Sequence, residues 1–94
     1  MARAHWNGTT LAESDKTVVV DGNHYFPADS VLTEHLEESS KTSVCGWKGT
    51  ANYYHVRVGE AVNSDAAWVY RDPKPEAREL ADHVAFWRGV EVDT

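Results

Sequence analysis

Cys45, Trp47 and Lys48 bring a soft nucleophile, a broad aromatic surface and a cation into four positions. They lie in the thirteen-residue tract T-S-V-C-G-W-K-G-T-A-N-Y-Y, Thr42 to Tyr54, which also holds the only cysteine, one of four tryptophans and a tyrosine pair. A thiol near a lysine is the arrangement of an activated nucleophile, suited to acyl or alkyl transfer. With no second cysteine to resolve a sulfenic acid, peroxidase or reductase chemistry within one chain is disfavoured. The plainer reading of Cys45 is a small hydrophobe at the end of a strand, the usual role of a free cysteine. His83, beside Asp82, is a candidate oriented base and His55 an alternative; the Asp82-His83 pair serves equally as a cap.

The rings offer a second kind of chemistry. Trp6, Trp47, Trp68 and Trp87, with Tyr25, Tyr54 and Tyr70, are many large aromatics for 94 residues. Some must fill the core, and Trp87 in V-A-F-W reads as one of these. Trp47 beside a glycine bend and Trp68 on a short strand fall where strands meet loops, the places where binding residues concentrate. Walls of this kind hold a flat or sugar-like ligand, or a cation over the ring faces. The candidate ligand-binding set is Trp47, Lys48, Trp68, Tyr25 and Tyr54, with Lys48 available to neutralise an anionic group. The G-W-K-G-T stretch lacks the spacing of a phosphate loop. His5, His24, His35, His55 and His83 are scattered without ligand spacing, so no metal and no cofactor are expected. Glu37-Glu38 reads as a solvated face rather than a pair across a cleft.

Composition narrows the classes. Apolar content of 41% and charged content of 26% are those of an ordinary globular domain and argue against disorder. The length implies one small domain spanning residues 1–94. A net charge of −6 with nine scattered Lys and Arg disfavours nucleic acid, which needs a basic stripe. No apolar run approaches the ~20 residues of a membrane span, and the first residues lack the apolar stretch of a signal peptide. Together with the single cysteine, these features read as a cytoplasmic protein. The reading leaves room for a homo-oligomer.

Turn signals about every ten residues imply short strands joined by tight connections. Thr17–Val20 and His24–Phe26 flank Asp21-Gly22, a strong hairpin dipeptide. Asp29-Ser30 is expected to cap a helix with Val31, Leu32, His35 and Leu36 on one face, ending within Glu37–Lys41. Lys41–Trp47 and Thr50–Val58 are expected as strands around a Lys48-Gly49 bend. On the return strand Tyr54, Val56 and Val58 face one side and Tyr53, His55 and Arg57 the other. Residues 59–65 read as a loop. Ala66–Tyr70 reads as a strand with Trp68 and Tyr70 on one face, halted by Asp72-Pro73-Lys74-Pro75. One or two helical turns over Glu76–Asp82, then strands at Val84–Trp87 and Val90–Val92, complete a mainly β, mostly antiparallel domain with small helical pieces.

The blocks Y-F-P-A-D-S-V (Tyr25–Val31), T-S-V-C-G-W-K-G-T-A-N-Y-Y, A-A-W-V-Y (Ala66–Tyr70), D-H-V-A-F-W (Asp82–Trp87) and V-E-V (Val90–Val92) closely resemble the DUF427 family, in its order and over nearly the whole chain. The resemblance implies a small bacterial protein with a compact fold like the β-tent of cereblon's ligand-binding domain, methionine sulfoxide reductase B and Yippee proteins. The family usually has proline where Gly46 stands, which implies a looser bend here. The two C-x-x-C pairs of the zinc-binding β-tent relatives are missing, so their zinc does not carry over. A nucleotidyltransferase label attached to the family finds no residue pattern in this chain. Three functions follow as expectations: a small-molecule binding module, an enzyme using Cys45 covalently in a transferase-like step, or a protein-interaction module.

Overall fold

The pleat of a β-strand sends alternate side chains to opposite faces, and several strands of this chain carry apolar residues on both. A sheet built from them must be covered twice. The computed structural model describes residues 1–94 and resolves that demand with two antiparallel sheets. Nine strands run in chain order: β1 (Ala2–Trp6), β2 (Thr9–Ser14), β3 (Val18–Val20), β4 (Asn23–Pro27), β5 (Leu36–Cys45), β6 (Gly49–Val58), β7 (Ala61–Val69), β8 (His83–Phe86) and β9 (Glu91–Asp93). The small sheet is ordered β2-β1-β9 and the large one β3-β4-β8-β7-β6-β5. The mainly β, antiparallel fold expected from the sequence is therefore the fold observed.

Turn chemistry sets the hairpins. Asp21-Gly22 joins β3 to β4 with φ of 53° and 79°, both central residues in the left-handed region as a type I′ turn demands. Asn7-Gly8, with φ of 52° and 76°, makes the same turn between β1 and β2. That first hairpin was not among the sequence-based expectations, although Asn-Gly between β-prone residues is its signal.

Three expectations need correction. No α-helix spans residues 29–36. Isolated 3₁₀ turns occupy Ala28–Ser30 and Thr33–His35, and β5 starts at Leu36. The Ser30 hydroxyl donates to the Pro27 carbonyl instead of capping a helix. The Leu32 amide donates to the Leu11 carbonyl at 2.8 Å and Val31 bridges to Ala12, so pairing with β2 overrides the helical periodicity. The polar run at residues 37–41 belongs to β5, which lies at the rim of the large sheet, where charged side chains guard an open edge. Residues 59–65 are not a loop, because β7 begins at Ala61 and only Gly59-Glu60 turns. By contrast, the one or two helical turns expected over Glu76–Asp82 are present as a 3₁₀ segment, Pro75–Leu80, that buries Ala77 and Leu80 of the expected stripe.

Two apolar clusters result, one on each face of the large sheet. Between the sheets, Ala2, Ala4, Leu11 and Ala12 meet Phe26, Val56, Ala67, Val69, Val84 and Phe86. Phe26 and Phe86 contact edge to face at 5.8 Å. On the opposite face Tyr25, Ala51, Trp68, Tyr70 and Ala85 cluster with Ala77 and Leu80. Phe26 is fully buried. Phe26→Ala is expected to destabilise the fold by about 3–5 kcal/mol, a large part of the stability of so small a domain. Urea unfolding followed by circular dichroism measures the loss.

Candidate functional site

Strand register gathers the rings. Tyr53 on β6 lies directly opposite Trp68 on β7, and Trp68 lies opposite Ala85 on β8. The small Ala85 leaves space beside the indole. Trp87, two residues beyond Ala85, comes to the same face, its ring 5.7 Å from Trp68 and 6.3 Å from Tyr53. Tyr25 on β4 meets Trp68 edge to face at 6.1 Å, and its hydroxyl accepts the Trp68 indole N–H at 3.3 Å. Tyr70 completes the set, 6.4 Å from Tyr25. Trp87 is oriented from behind. Asp65, at φ 55° in an irregular stretch of β7, accepts the Trp87 indole N–H on its carbonyl at 2.6 Å.

These five rings, with Asp21, Asn23 and Lys48, line an open pocket of about 270 Å³. A dry cavity of roughly 150 Å³ suffices for benzene, so the space suits a substituted ring or a small bicycle.

Lys48 is the one buried charged residue. Its side chain is 9% exposed, and its ammonium donates to the Asp21 carboxylate at 2.6 Å. The bond ties the β5–β6 loop to the β3–β4 turn. The loop is clamped from outside by the segment after β7. The Lys74 amide donates to the Lys48 carbonyl at 2.8 Å, and the Lys74 ammonium donates to the Gly46 carbonyl at 2.7 Å. Gly49, at φ 110°, takes a backbone conformation that side-chain-bearing residues rarely adopt, and the Lys74 backbone nitrogen packs 3.4 Å from where its Cβ would be. Burial works against the Lys48 charge, but the Asp21 hydrogen bond and the nearby Tyr25 and Tyr70 hydroxyls outweigh it, holding the ammonium above the ordinary lysine value. Burial, with Tyr25 adding to it, also pushes the Tyr70 phenol up.

Other cations sit on the outer rings. The Lys41 ammonium lies 5.3 Å from the centre of Tyr53, and the Arg88 guanidinium 4.7 Å from that of Trp87. Cys45, half-buried, packs against the ring cluster. The backbone amides of Trp47 and Lys48 point at its sulfur and, with the Lys48 charge, draw the thiol below its ordinary value against the effect of desolvation.

Of the residues singled out from sequence, Tyr25, Lys48 and Trp68 converge on the pocket. Trp47 does not line it; its ring lies outside, 42% exposed, beneath the Lys48 ammonium at 5.1 Å. Tyr54 is on the other face of β6, where its hydroxyl accepts a hydrogen bond from Arg71 at 2.9 Å. Cys45 meets neither histidine. His55 is six residues along β6 from Gly49, the partner of Cys45, or about 20 Å at ~3.3 Å per residue. His83 contacts the Ala81 carbonyl on β8, three strands from β5, roughly 14 Å at ~4.8 Å per strand. No three His, Cys, Asp or Glu side chains converge to hold a metal ion. Sequence reasoning left out Asp21, Asn23 and Tyr53, assigned Trp87 to the core, and counted Tyr70 among the rings without placing it in the site. Alternation was the available signal: Tyr53 faces with Ala51, and Trp87 with Ala85.

Lys48 and Tyr70 yield a pH prediction. Both have folded pKa values above their unfolded ones, so their stabilisation is complete below about pH 10, the unfolded range of tyrosine and lysine, and is lost as pH rises through the folded values. Urea midpoints are expected to fall on the alkaline side of pH 10. Lys48→Met and Tyr70→Phe should each flatten that fall.

No helix of the structure is long and apolar enough to cross a membrane. No curated protein matches the chain. The family model described as a domain of unknown function, DUF427, matches residues 1–94, the whole chain. The resemblance carried by the C-G-W-K-G bend and its flanking blocks thus extends over every strand described above, and the protein belongs to the DUF427 family.

Proposed function

We propose that this protein binds a small planar molecule in the aromatic pocket. The carrying observation is that five rings surround open space rather than filling it, with a buried ammonium at one end. An open concavity lined by rings, with a few convergent polar groups on one face of a small sheet, has the character of a binding site. Flat ligands gain from ring contacts above their buried area, while Lys48, Asn23 and the tyrosine hydroxyls fix orientation. Trp87 is 40% exposed, which makes it a wall facing solvent and not a core residue.

Tyr53 and Trp87 are the residues to change. Each lines the pocket and is only partly buried. Trp68 and Tyr25 are buried, and their loss would unfold the sheet. Tyr53→Ala and Trp87→Ala are expected to abolish binding of ring compounds found by thermal shift, with folded circular dichroism spectra retained. A ligand present at a hundred times its dissociation constant stabilises the native state by about 2.7 kcal/mol, a shift of several degrees at this size. Unchanged affinity in both variants would remove the pocket from the function.

A second reading is favoured by the amides aimed at the Cys45 sulfur: covalent chemistry at a thiolate beside the pocket. Iodoacetamide alkylation followed against pH is then expected to show a midpoint below the ordinary ~8.5 of a free thiol. A midpoint at or above that value would leave Cys45 as a packing residue.

A further inference from the structure

The two partners of the Lys48–Asp21 bond are unequally placed. The Lys48 side chain is 9% exposed and that of Asp21 is 61% exposed. The lysine is held by the loop around it, whereas the carboxylate reaches in from a turn at the surface. Only the carboxylate can leave for water at little cost. An ammonium left behind without a counter-charge would be expensive to keep buried, so whatever draws Asp21 away must bring its own negative charge.

The surroundings point the same way. Tyr53 and Trp87 have cations of the protein on them, Lys41 and Arg88, which repel a positively charged ligand entering between them. Lys41 and Arg88 thus set positive charge against two of the pocket rings on a chain whose net charge is −6. Apart from Asp21, no acidic side chain lines the pocket.

Resting on the pocket assignment above, we propose that the ligand is an aromatic acid, a planar ring bearing one anionic group, and that its anion takes the place of the Asp21 carboxylate on Lys48. Asp21 is an internal stand-in for the ligand's charge. The ring lies among Tyr53, Trp68 and Trp87, and the acid group reaches the Lys48 end beside Asn23. The exchange keeps the ammonium paired in both states. Asp21 sets the threshold for binding, because each ligand must compete with it.

The test uses three bicyclic probes of matched shape in calorimetric titrations: 2-naphthoate, its neutral isostere 2-naphthamide, and 2-naphthylmethylamine. The wild-type protein is expected to bind naphthoate at least tenfold more tightly than naphthamide and to bind the amine most weakly. Asp21→Asn removes the competing charge while placing Asn-Gly, the preferred pair, in the same type I′ turn. It should tighten naphthoate several-fold and leave naphthamide within twofold. Lys48→Met should remove the preference for naphthoate. Equal binding of naphthoate and naphthamide by the wild type would overturn the acid preference while leaving the pocket in place. Unchanged naphthoate affinity in Asp21→Asn would overturn the exchange. Absence of binding by all three probes would overturn the pocket assignment and, with it, this inference.

Discussion

A strand cannot be apolar on both faces without both faces being covered, and β7 imposes that constraint on the whole molecule. Ala67 and Val69 point to one side of it, Trp68 and Tyr70 to the other. The small sheet covers most of the first side. On the second side the 3₁₀ segment Pro75–Leu80 supplies only Ala77 and Leu80, too little to cover all the rings. The uncovered remainder is the pocket. The pocket is thus the unfinished half of the core, and Tyr25, Tyr53 and Trp68 in its walls are strand residues placed by register.

Lys48 depends on that same architecture at one remove. A lysine in a three-residue loop would ordinarily extend into water. Here the segment that leaves β7 turns back across the loop, holds the Gly46 and Lys48 carbonyls, and presses close against Gly49. The backbone is fixed from outside and the side chain runs inward, where Asp21 keeps it charged. The lysine end of the pocket is built by contacts between residues far apart in sequence, which explains why the local tract marked Lys48 but not its partner Asp21.

The β class was legible from turn spacing, and Asp21-Gly22 located its hairpin because the physics of that turn is local. The 29–36 segment was not, since backbone pairing with Leu11 and Ala12 decided it against its own periodicity. Tyr25, Lys48 and Trp68, singled out by residue type, line the pocket. Trp47 and Tyr54 lie outside it because proximity in sequence to the glycine bend does not choose a side: pleat parity turns Tyr54 away, and Trp47 stands in the β5–β6 loop with its ring 42% exposed. Tyr53 and Tyr54 are neighbours in the chain, yet one lines the pocket and the other hydrogen-bonds Arg71 on the far side. Knowing which strand lies opposite which was the missing information.

The small sheet has a consequence for how the protein is made. β1 pairs with β2 through a two-residue turn, but its other neighbour is β9, and His5 on β1 bonds Asp93 on β9 across 88 residues. During synthesis the first hairpin can close as soon as it leaves the ribosome, while its second edge stays open until β9 follows. Through that interval the emerging chain carries a bare strand edge and an alanine-lined surface awaiting the large sheet. Late, long-range closure of this kind is slow and exposes the chain to wrong partners, so the vulnerable moment in the life of this protein comes before the sheet is complete.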